Sequence, residues 1–300
     1  MAAAAPAAPA PAQTPAPSSR PGSILSDMVV RFVDYIMTIL ASVGSFTTFS
    51  FKAIGAIPST LARYRNECLR QLSDIAWGSG ALIVGGGTIG VMVLLAISVG
   101  TSLGIEGFNG LELVGLSPLV GFISATANTR ELGPLVAALA LASQVGCRFT
   151  AQIGSMKIHE EVDALEVMAV PPMKYLVSTR ILATMVAIVP LYLVGLIGSY
   201  IASQFTVVAL FGQSPGQFDH YFSTFIQGRD VVFSLIKVVT FGLFVALIHT
   251  WYGFRVGGGP QAVGEATGKA IRASIVGVVV LDMLMTIVMW GGDPGFRISG

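Results

Sequence analysis

Hydrophobic residues fall into five long blocks that are separated by short polar segments. The blocks cover residues 75–105, 118–148, 181–218, 231–252 and 273–290, and charged residues are rare within them. A membrane-spanning α-helix needs about 20 predominantly apolar residues, so each block predicts one span. In a bilayer, the backbone polar groups of a segment must be satisfied within the protein, which favours helices. The pattern therefore predicts an all-α polytopic membrane protein with five transmembrane helices.

The chain before the first block has a different pattern. Residues 1–22 are rich in Pro and Ala and have too few large apolar residues to form a core, so they are predicted to be a disordered cytoplasmic tail. Residues 23–57 are apolar but carry several charges near their start, which favours an amphipathic helix in the membrane interface over a full span. Residues 58–291 are predicted to form the membrane domain, and residues 292–300 a short tail outside it.

A charged island lies between the second and third blocks. Residues 157–170 carry four carboxylates among apolar residues at helical spacing, which predicts a short amphipathic helix. Its charged positions are Glu160, Glu161, Asp163 and Glu166, and its apolar positions are Val162, Leu165 and Met168. Carboxylates at this density are too costly for hydrocarbon, so the island must lie in water beside the membrane. It either docks a partner or lies on the membrane surface, and a solvated loop would also explain its charges.

The distribution of basic residues predicts the orientation. Lys and Arg concentrate around residues 63–70, 157–174 and 255–272, whereas 106–117 contains two Glu and no Lys or Arg. Loops rich in Lys and Arg stay on the cytoplasmic side of a membrane. The N-terminus and the charged island are therefore predicted to be cytoplasmic and the C-terminus to lie outside. Residues 219–230, between the third and fourth spans, are predicted to return to water on the outer side.

Four ionisable residues lie well inside the predicted spans: Arg130 and Glu131 in the second, Lys237 in the fourth and Asp282 in the fifth. Lys237 and Asp282 fall within one helical turn of each other in depth, so they can form an ion pair. Such a pair is either structural or part of a polar pathway. Arg130 can bind a lipid phosphate or carboxylate through two hydrogen bonds, and Glu131 can balance its charge. These four residues are the candidate substrate pathway.

Composition and motif spacing argue against several other functions. Hydrophobic residues make up 53% of the chain and the net charge is +1, which argues against a soluble domain and against a nucleic-acid partner. The G-x-G-x-x-G match at 85–90 lies in a hydrophobic block, and 264–270 lacks the spacing of a phosphate-binding loop and is interpreted as a helix-start turn. The two Cys and three His are too scattered for a metal site. No catalytic residue, metal or cofactor is expected.

Four motifs carry a resemblance to a known family. They are RELGPLVAAL at 130–139, EEVDALEVMAV at 160–170, YLVSTR at 175–180 and VGEATGKAIRAS at 263–274. Together they resemble the MlaE/YrbE permeases, the membrane subunits of ABC-type lipid transporters that work with MCE proteins. The similarity covers about 58–291, and the Pro/Ala-rich tail is similar to that of the actinobacterial YrbE subunits. Gln152 and Pro171 depart from the family pattern, which commonly has Glu and Asp there.

This resemblance implies a plasma-membrane permease subunit that moves lipids or other hydrophobic molecules across the cell envelope, in the import direction. The implied partners are a cytoplasmic ABC ATPase, outer MCE-domain proteins, a second and different YrbE-type permease subunit, and the lipid itself. The permease would have no nucleotide site of its own. The resemblance also favours docking by the charged island, which would then be a coupling helix between the second and third spans.

Two other functions are compatible with the pattern of residues. An ion-coupled secondary transporter or channel would use the charges of Glu131, Lys237 and Asp282 to bind its ion. Inverted repeats would support that alternative, but five spans do not divide into two equal halves. A purely structural anchor for outer proteins would need neither the intramembrane charges nor the charged island.

Overall fold

The computed structural model describes residues 21–77 and 87–291, and every regular element in these ranges is helical. The predicted all-α fold is therefore confirmed. The predicted tail 292–300 lies outside the described residues, as does the predicted tail 1–22 except for its last two residues, which begin the first helix.

Three helices precede the first predicted span. They are α1 (Pro21–Gly55), α2 (Ile57–Arg63) and α3 (Arg65–Trp77). The chain divides into two compact units between Thr48 and Phe49, so that α1 belongs partly to each. Within α1, Met28–Gly55 is long and apolar enough to cross a membrane, judged by length and composition. The interfacial placement of residues 23–57 stays a prediction.

The five predicted spans are present as long helical segments of the second unit. They comprise α4 (Gly87–Glu112), then α5 (Val120–Ala127), α6 (Gly133–Leu141) and α7 (Cys147–Ile158) in one continuous segment, followed by α9 (Thr179–Phe211), α11 (Gly228–Phe254) and α12 (Pro260–Trp290). Two shorter helices lie between them, α8 (Glu161–Val167) and α10 (Pro215–Phe225). With Met28–Gly55, the described residues contain six candidate membrane spans.

The second span is interrupted near the polar residues at its centre. A π-helical segment, Asn128–Leu132, joins α5 to α6, and another, Ala142–Gly146, joins α6 to α7. Pro134 follows the first segment, and proline has no N–H to donate to the carbonyl four residues earlier, which is that of Arg130. Single π-helical turns within α-helices are frequently found at functional sites. This interruption leaves the Arg130 carbonyl accessible to a donor from another helix.

On the side predicted to face outwards, the structure adds detail to the predicted block 181–218. The third span that this block contains ends at Phe211, because Gly212 adopts a φ of 65°, the left-handed conformation with which glycine commonly ends a helix. Phe218 instead belongs to α10, where it is buried. The predicted polar segment 219–230 is therefore mostly helical.

Two expectations on the opposite side also change. Ile75, at the start of the predicted first span, lies on the buried face of α3, and the structure describes this span from Gly87 onwards. The fifth helix begins at Pro260, because proline is favoured in the first turn of a helix. Residues 264–270 therefore lie inside α12 and do not form a helix-start turn.

Helices α4 and α9 cross at very short distance. A Cβ atom on Gly100 would lie 2.2 Å from the carbonyl oxygen of Ser199, and a Cβ on Gly104 would lie 3.1 Å from that of Ser203. Small residues at such crossings let two membrane helices approach closely. This crossing fixes α9 next to the π-helical segment that carries Arg130.

Candidate functional site

Lys237 lies at the centre of a buried polar cluster. Its side chain is fully buried, and its Nζ atom lies 2.6 Å from Asp282 Oδ1 and 3.2 Å from Glu131 Oε2. Nζ also donates hydrogen bonds to the Arg130 carbonyl at 2.7 Å and to Thr286 Oγ1 at 2.9 Å. The ion pair expected between Lys237 and Asp282 is present, and Glu131 joins it.

Glu131 links this cluster to its surroundings. Its Oε1 atom accepts a hydrogen bond from Thr286 Oγ1 at 2.8 Å. The Glu131 side chain is 36% exposed, whereas those of Lys237 and Asp282 are 0% and 10% exposed. A ligand that approaches the cluster therefore meets Glu131 before it meets the other charges.

Arg130 forms a second ion pair beside the first. Its Nε and Nη2 atoms donate to Asp230 Oδ2 at 2.9 Å and 2.7 Å, and Trp290 Nε1 donates to Asp230 Oδ1 at 2.9 Å. The Arg130 guanidinium and Lys237 Nζ each lie 5.5 Å from the centre of the Trp290 ring, which adds cation–π attraction. Arg130 thus already binds a carboxylate. Its contact with a lipid headgroup stays a prediction.

The two ion pairs together place three carboxylates around two cations. Arg130 and Glu131 come from the second span, Asp230 and Lys237 from α11, and Asp282 from α12. A buried charge without a partner is strongly destabilising, so the pairing holds these three spans to one another. Partners can exchange at Lys237, because its Nζ atom lies next to several acceptors.

Three members of the cluster are not predicted from the sequence: Asp230, Thr286 and Trp290. Asp230 belongs to the segment predicted to return to water, but it is buried in the first turn of α11, where the helix dipole favours a carboxylate. The spacing of these residues from Lys237 and Asp282 could have identified them. Asp230 lies seven residues before Lys237, and Thr286 and Trp290 lie four and eight residues after Asp282, so each set shares a helix face.

The charged island forms a shorter helix than the predicted 157–170. Helix α7 continues through Lys157, and the separate helix α8 covers only Glu161–Val167. Glu160 adopts a left-handed φ of 59° that breaks the helix, and Lys157 Nζ pairs with Asp163 Oδ1 at 2.8 Å across the break. Ala169, also at a φ of 59°, follows the end of α8.

The apolar residues of the island are partly buried by the rest of the chain and partly exposed. Val162 is buried against its own chain, so the expectation that it forms a docking surface is corrected. Leu165 is half-buried, while Met168 and Val167 are 64% and 89% exposed. The four carboxylates, Glu160, Glu161, Asp163 and Glu166, are all exposed, as predicted for a helix in water. The exposed apolar surface therefore consists of Val167 and Met168, with Leu165 at its edge.

The fold and this cluster define a polytopic helical membrane protein in which buried ion pairs join three spans. The family model described as Permease MlaE matches residues 78–288 of this chain. That match covers more than half of the chain, so the chain belongs to the MlaE permease family. Members of this family are ABC transporter permeases, which implies an ATPase subunit as partner. The candidate spans and the family together indicate a multi-pass inner-membrane protein.

Individual relatives agree with this assignment. A probable ABC transporter permease of Rickettsia prowazekii is 30% identical over 251 residues, which is 82% of this chain and 91% of the relative. The intermembrane phospholipid transport system permease protein MlaE of Haemophilus influenzae is 27% identical over 67% of this chain and 77% of its own length. The chloroplast protein TRIGALACTOSYLDIACYLGLYCEROL 1 of Arabidopsis thaliana is 28% identical over 68% of this chain and 59% of its own length.

Proposed function

We propose that this chain is the permease subunit of an ABC-type transporter that moves phospholipids or other hydrophobic molecules across the cell envelope, in the import direction. A cytoplasmic ATPase supplies the energy, outer MCE-domain proteins carry the lipid beyond the membrane, and a second, related permease subunit completes the membrane part. Similarity to a permease named for intermembrane phospholipid transport supports a lipid substrate.

The observation that carries this proposal is the buried cluster of ion pairs. A lipid headgroup can cross hydrocarbon only where polar partners replace its water. Arg130 fits this role because its planar guanidinium binds a phosphate through the same two-donor geometry with which it binds Asp230. The headgroup would enter beside Glu131, the most exposed member, and exchange with Asp230 on Arg130. Because the same charges join three spans, this exchange would also loosen their packing.

Helix α8 is the proposed contact for the ATPase. It lies between the second and third spans, so a force applied to it reaches both. Met168 and Val167 supply an exposed apolar anchor, and the surrounding carboxylates can meet basic residues at the rim of a groove. Buried anchors carry most of the affinity of such contacts, and rim charges mainly tune the rate and the register of encounter.

Co-purification tests the docking role of α8. Met168→Asp should reduce the ATPase that co-purifies with the chain by about thirtyfold, the effect of losing an interface anchor worth about 2 kcal/mol. Leu113→Asp is the matched control, because Leu113 is also exposed, in the loop after α4 on the side predicted to face outwards. Retention of a full complement of ATPase by Met168→Asp would contradict the proposal.

Lipid movement by the purified complex in vesicles tests the transport role. Arg130→Lys keeps the charge beside Asp230 but loses the two-donor geometry, so ATP-driven movement of labelled phospholipid should fall by about tenfold. Arg272→Lys is the control, because Arg272 lies in the half of α12 that does not carry Asp282, and this variant should leave the rate of lipid movement unchanged. Movement that needs an ion gradient and not ATP would instead support the secondary transporter.

A further inference from the structure

A cavity of about 280 Å³ lies between α3, α4 and α9 and shares no lining residue with the polar cluster. Its described lining is entirely apolar, with Leu72 and Ala76 from α3, Ile89 from α4 and five residues between Val186 and Val194 of α9. Val186 and Val194 are about half exposed, so the cavity opens on the surface of the helix bundle. Pro190 lies inside α9 at this point, where a proline bends a helix and removes one backbone hydrogen bond.

The dimensions of the cavity restrict its occupant. At about 30 Å³ for each water-sized unit, it holds roughly nine such units, which suits a short length of a single hydrocarbon chain. An α-helix with side chains is about 10–12 Å wide and cannot enter it. Because α4 and α9 are candidate spans, we expect the open side to face hydrocarbon. A lipid acyl chain has both the width and the polarity that this cavity requires.

Arg180 lies on the same face of α9, near one end of the cavity. It precedes Ala187 of the cavity wall by seven residues, or about 10 Å along the helix. Arg180 is 5% exposed, and its Nη1 and Nη2 atoms donate to the Leu176 carbonyl at 2.7 Å and to Gln152 Oε1 at 3.4 Å. Its Nε atom is buried and has no hydrogen-bond partner among the described residues.

Arg148 of α7 reaches the same region from the other side. Its Nη2 atom donates at 2.9 Å to the carbonyl of Asp74, which lies between the cavity residues Leu72 and Ala76 in α3. Its Nε atom also lacks a partner among the described residues. Within the described part of the chain, neither Arg148 nor Arg180 has a carboxylate oxygen within 4.0 Å. The two guanidinium groups are close enough to repel each other, and the carboxylates that attract them, Asp74 for Arg148 and Glu67 for Arg180, lie beyond that distance.

We propose that α3, α7 and α9 form a binding site for an anionic phospholipid, with its phosphate at Arg148 and Arg180 and one acyl chain in the cavity. Basic pockets between membrane helices on the cytoplasmic side bind anionic headgroups in this way. The phosphate reaches the site past Gln152, which is exposed, and Arg148, which is half-buried. In the proposed orientation the lipid comes from the cytoplasmic leaflet. The site needs only the membrane setting of the chain and is separate from the proposed transport pathway.

Photocrosslinking in membranes that contain the full chain with its partners tests this site. The probe is a phosphatidylglycerol analogue with a photoreactive group on its acyl chain, and labelled peptides should come from α3 or α9. Arg148→Gln removes a charged hydrogen-bond donor and Val186→Trp fills the cavity from its open side, so each should lower labelling about tenfold. Val186 is half exposed, so its replacement should not disturb the core.

Two variants serve as matched controls. Arg272→Gln removes a cation elsewhere on the same side of the membrane, and Ile201→Trp adds a ring to an exposed position of α9 outside the cavity. Both should label like the unmodified chain. Equal labelling by a phosphatidylcholine analogue, or no loss in Val186→Trp, would overturn the proposal. Displacement of the probe by inorganic phosphate alone would show a free-anion site and would equally overturn it.

Discussion

At the residue scale, Lys237 shows how a membrane span can hold a charge at full burial. Its Nζ atom has four oxygen neighbours within 3.2 Å, but an ammonium group has only three N–H donors. The Arg130 carbonyl is one of these neighbours because Pro134 cannot bond it within the helix. The charge of Lys237 is therefore offset by two carboxylates and a carbonyl that helix geometry leaves accessible.

Lys237→Met should be strongly destabilising, because it leaves Asp282 and Glu131 facing each other without a cation. Loss of one partner from a buried ion pair costs about 3–5 kcal/mol, whereas apolar replacement of both partners is often nearly neutral. The double variant Lys237→Met with Asp282→Leu should therefore recover protein level and thermal stability but not lipid movement. Recovery of both by the double variant would mean that the pair is only structural.

Asp230→Asn should likewise destabilise the protein by about 3 kcal/mol, because it leaves the buried Arg130 without its carboxylate. Asp219→Asn is the matched control, since Asp219 is exposed on α10 and accepts a hydrogen bond from Gln204 at 2.7 Å. Thermal unfolding of the two variants in the same detergent measures the difference. Equal unfolding temperatures would contradict a structural contribution from the Arg130–Asp230 pair.

At the element scale, the hydrophobic pattern was sufficient for the spans because length and apolarity alone determine which segments can cross a bilayer. It was insufficient where a local conformation decides the outcome. The left-handed Gly212 ends α9 early, and Asp230 looks like a loop residue until its spacing from Lys237 is considered. The apolar stripe of α8 predicts that this helix contacts something, but it does not show whether the contact is with a partner or with the rest of the chain. Val162 is buried by the rest of the chain.

The crossing of α4 and α9 gives a prediction for one helix pair. Gly100→Ala should destabilise the protein by about 1–3 kcal/mol, because the new Cβ would overlap the Ser199 carbonyl and overpacking costs this much. Gly110→Ala in the same helix is the matched control, since nothing lies within 4 Å of its Cβ position. It should be neutral or stabilising by about 0.5–1 kcal/mol. Thermal unfolding checks both, and an unaffected Gly100→Ala would mean that the helices can separate at little cost.

At the scale of the whole molecule, the proposed roles depend on one orientation. An ATPase can dock on α8 only if α8 is cytoplasmic, and outer proteins can deliver lipid only if α10 lies on the other side. These two helices are joined by a single span, α9, so they must lie on opposite sides if α9 crosses the membrane. That α8 and α10 lie on opposite sides follows from the fold. The distribution of Lys and Arg predicts that the side of α8 is the cytoplasmic one.

Cysteine labelling of intact cells tests this orientation. Thr224→Cys in α10 should react with a membrane-impermeant maleimide from outside, and Ser155→Cys near the end of α7 should react only after permeabilisation, since both positions are exposed. Burial raises the pKa of the native Cys68 thiol, and the thiolate is the reactive form, so Cys68 should contribute little background at neutral pH and more as the pH rises. The unsubstituted chain, labelled across this pH range, measures that background. Labelling of Ser155→Cys but not Thr224→Cys in intact cells would invert the topology and place α8 where no cytoplasmic ATPase can reach it.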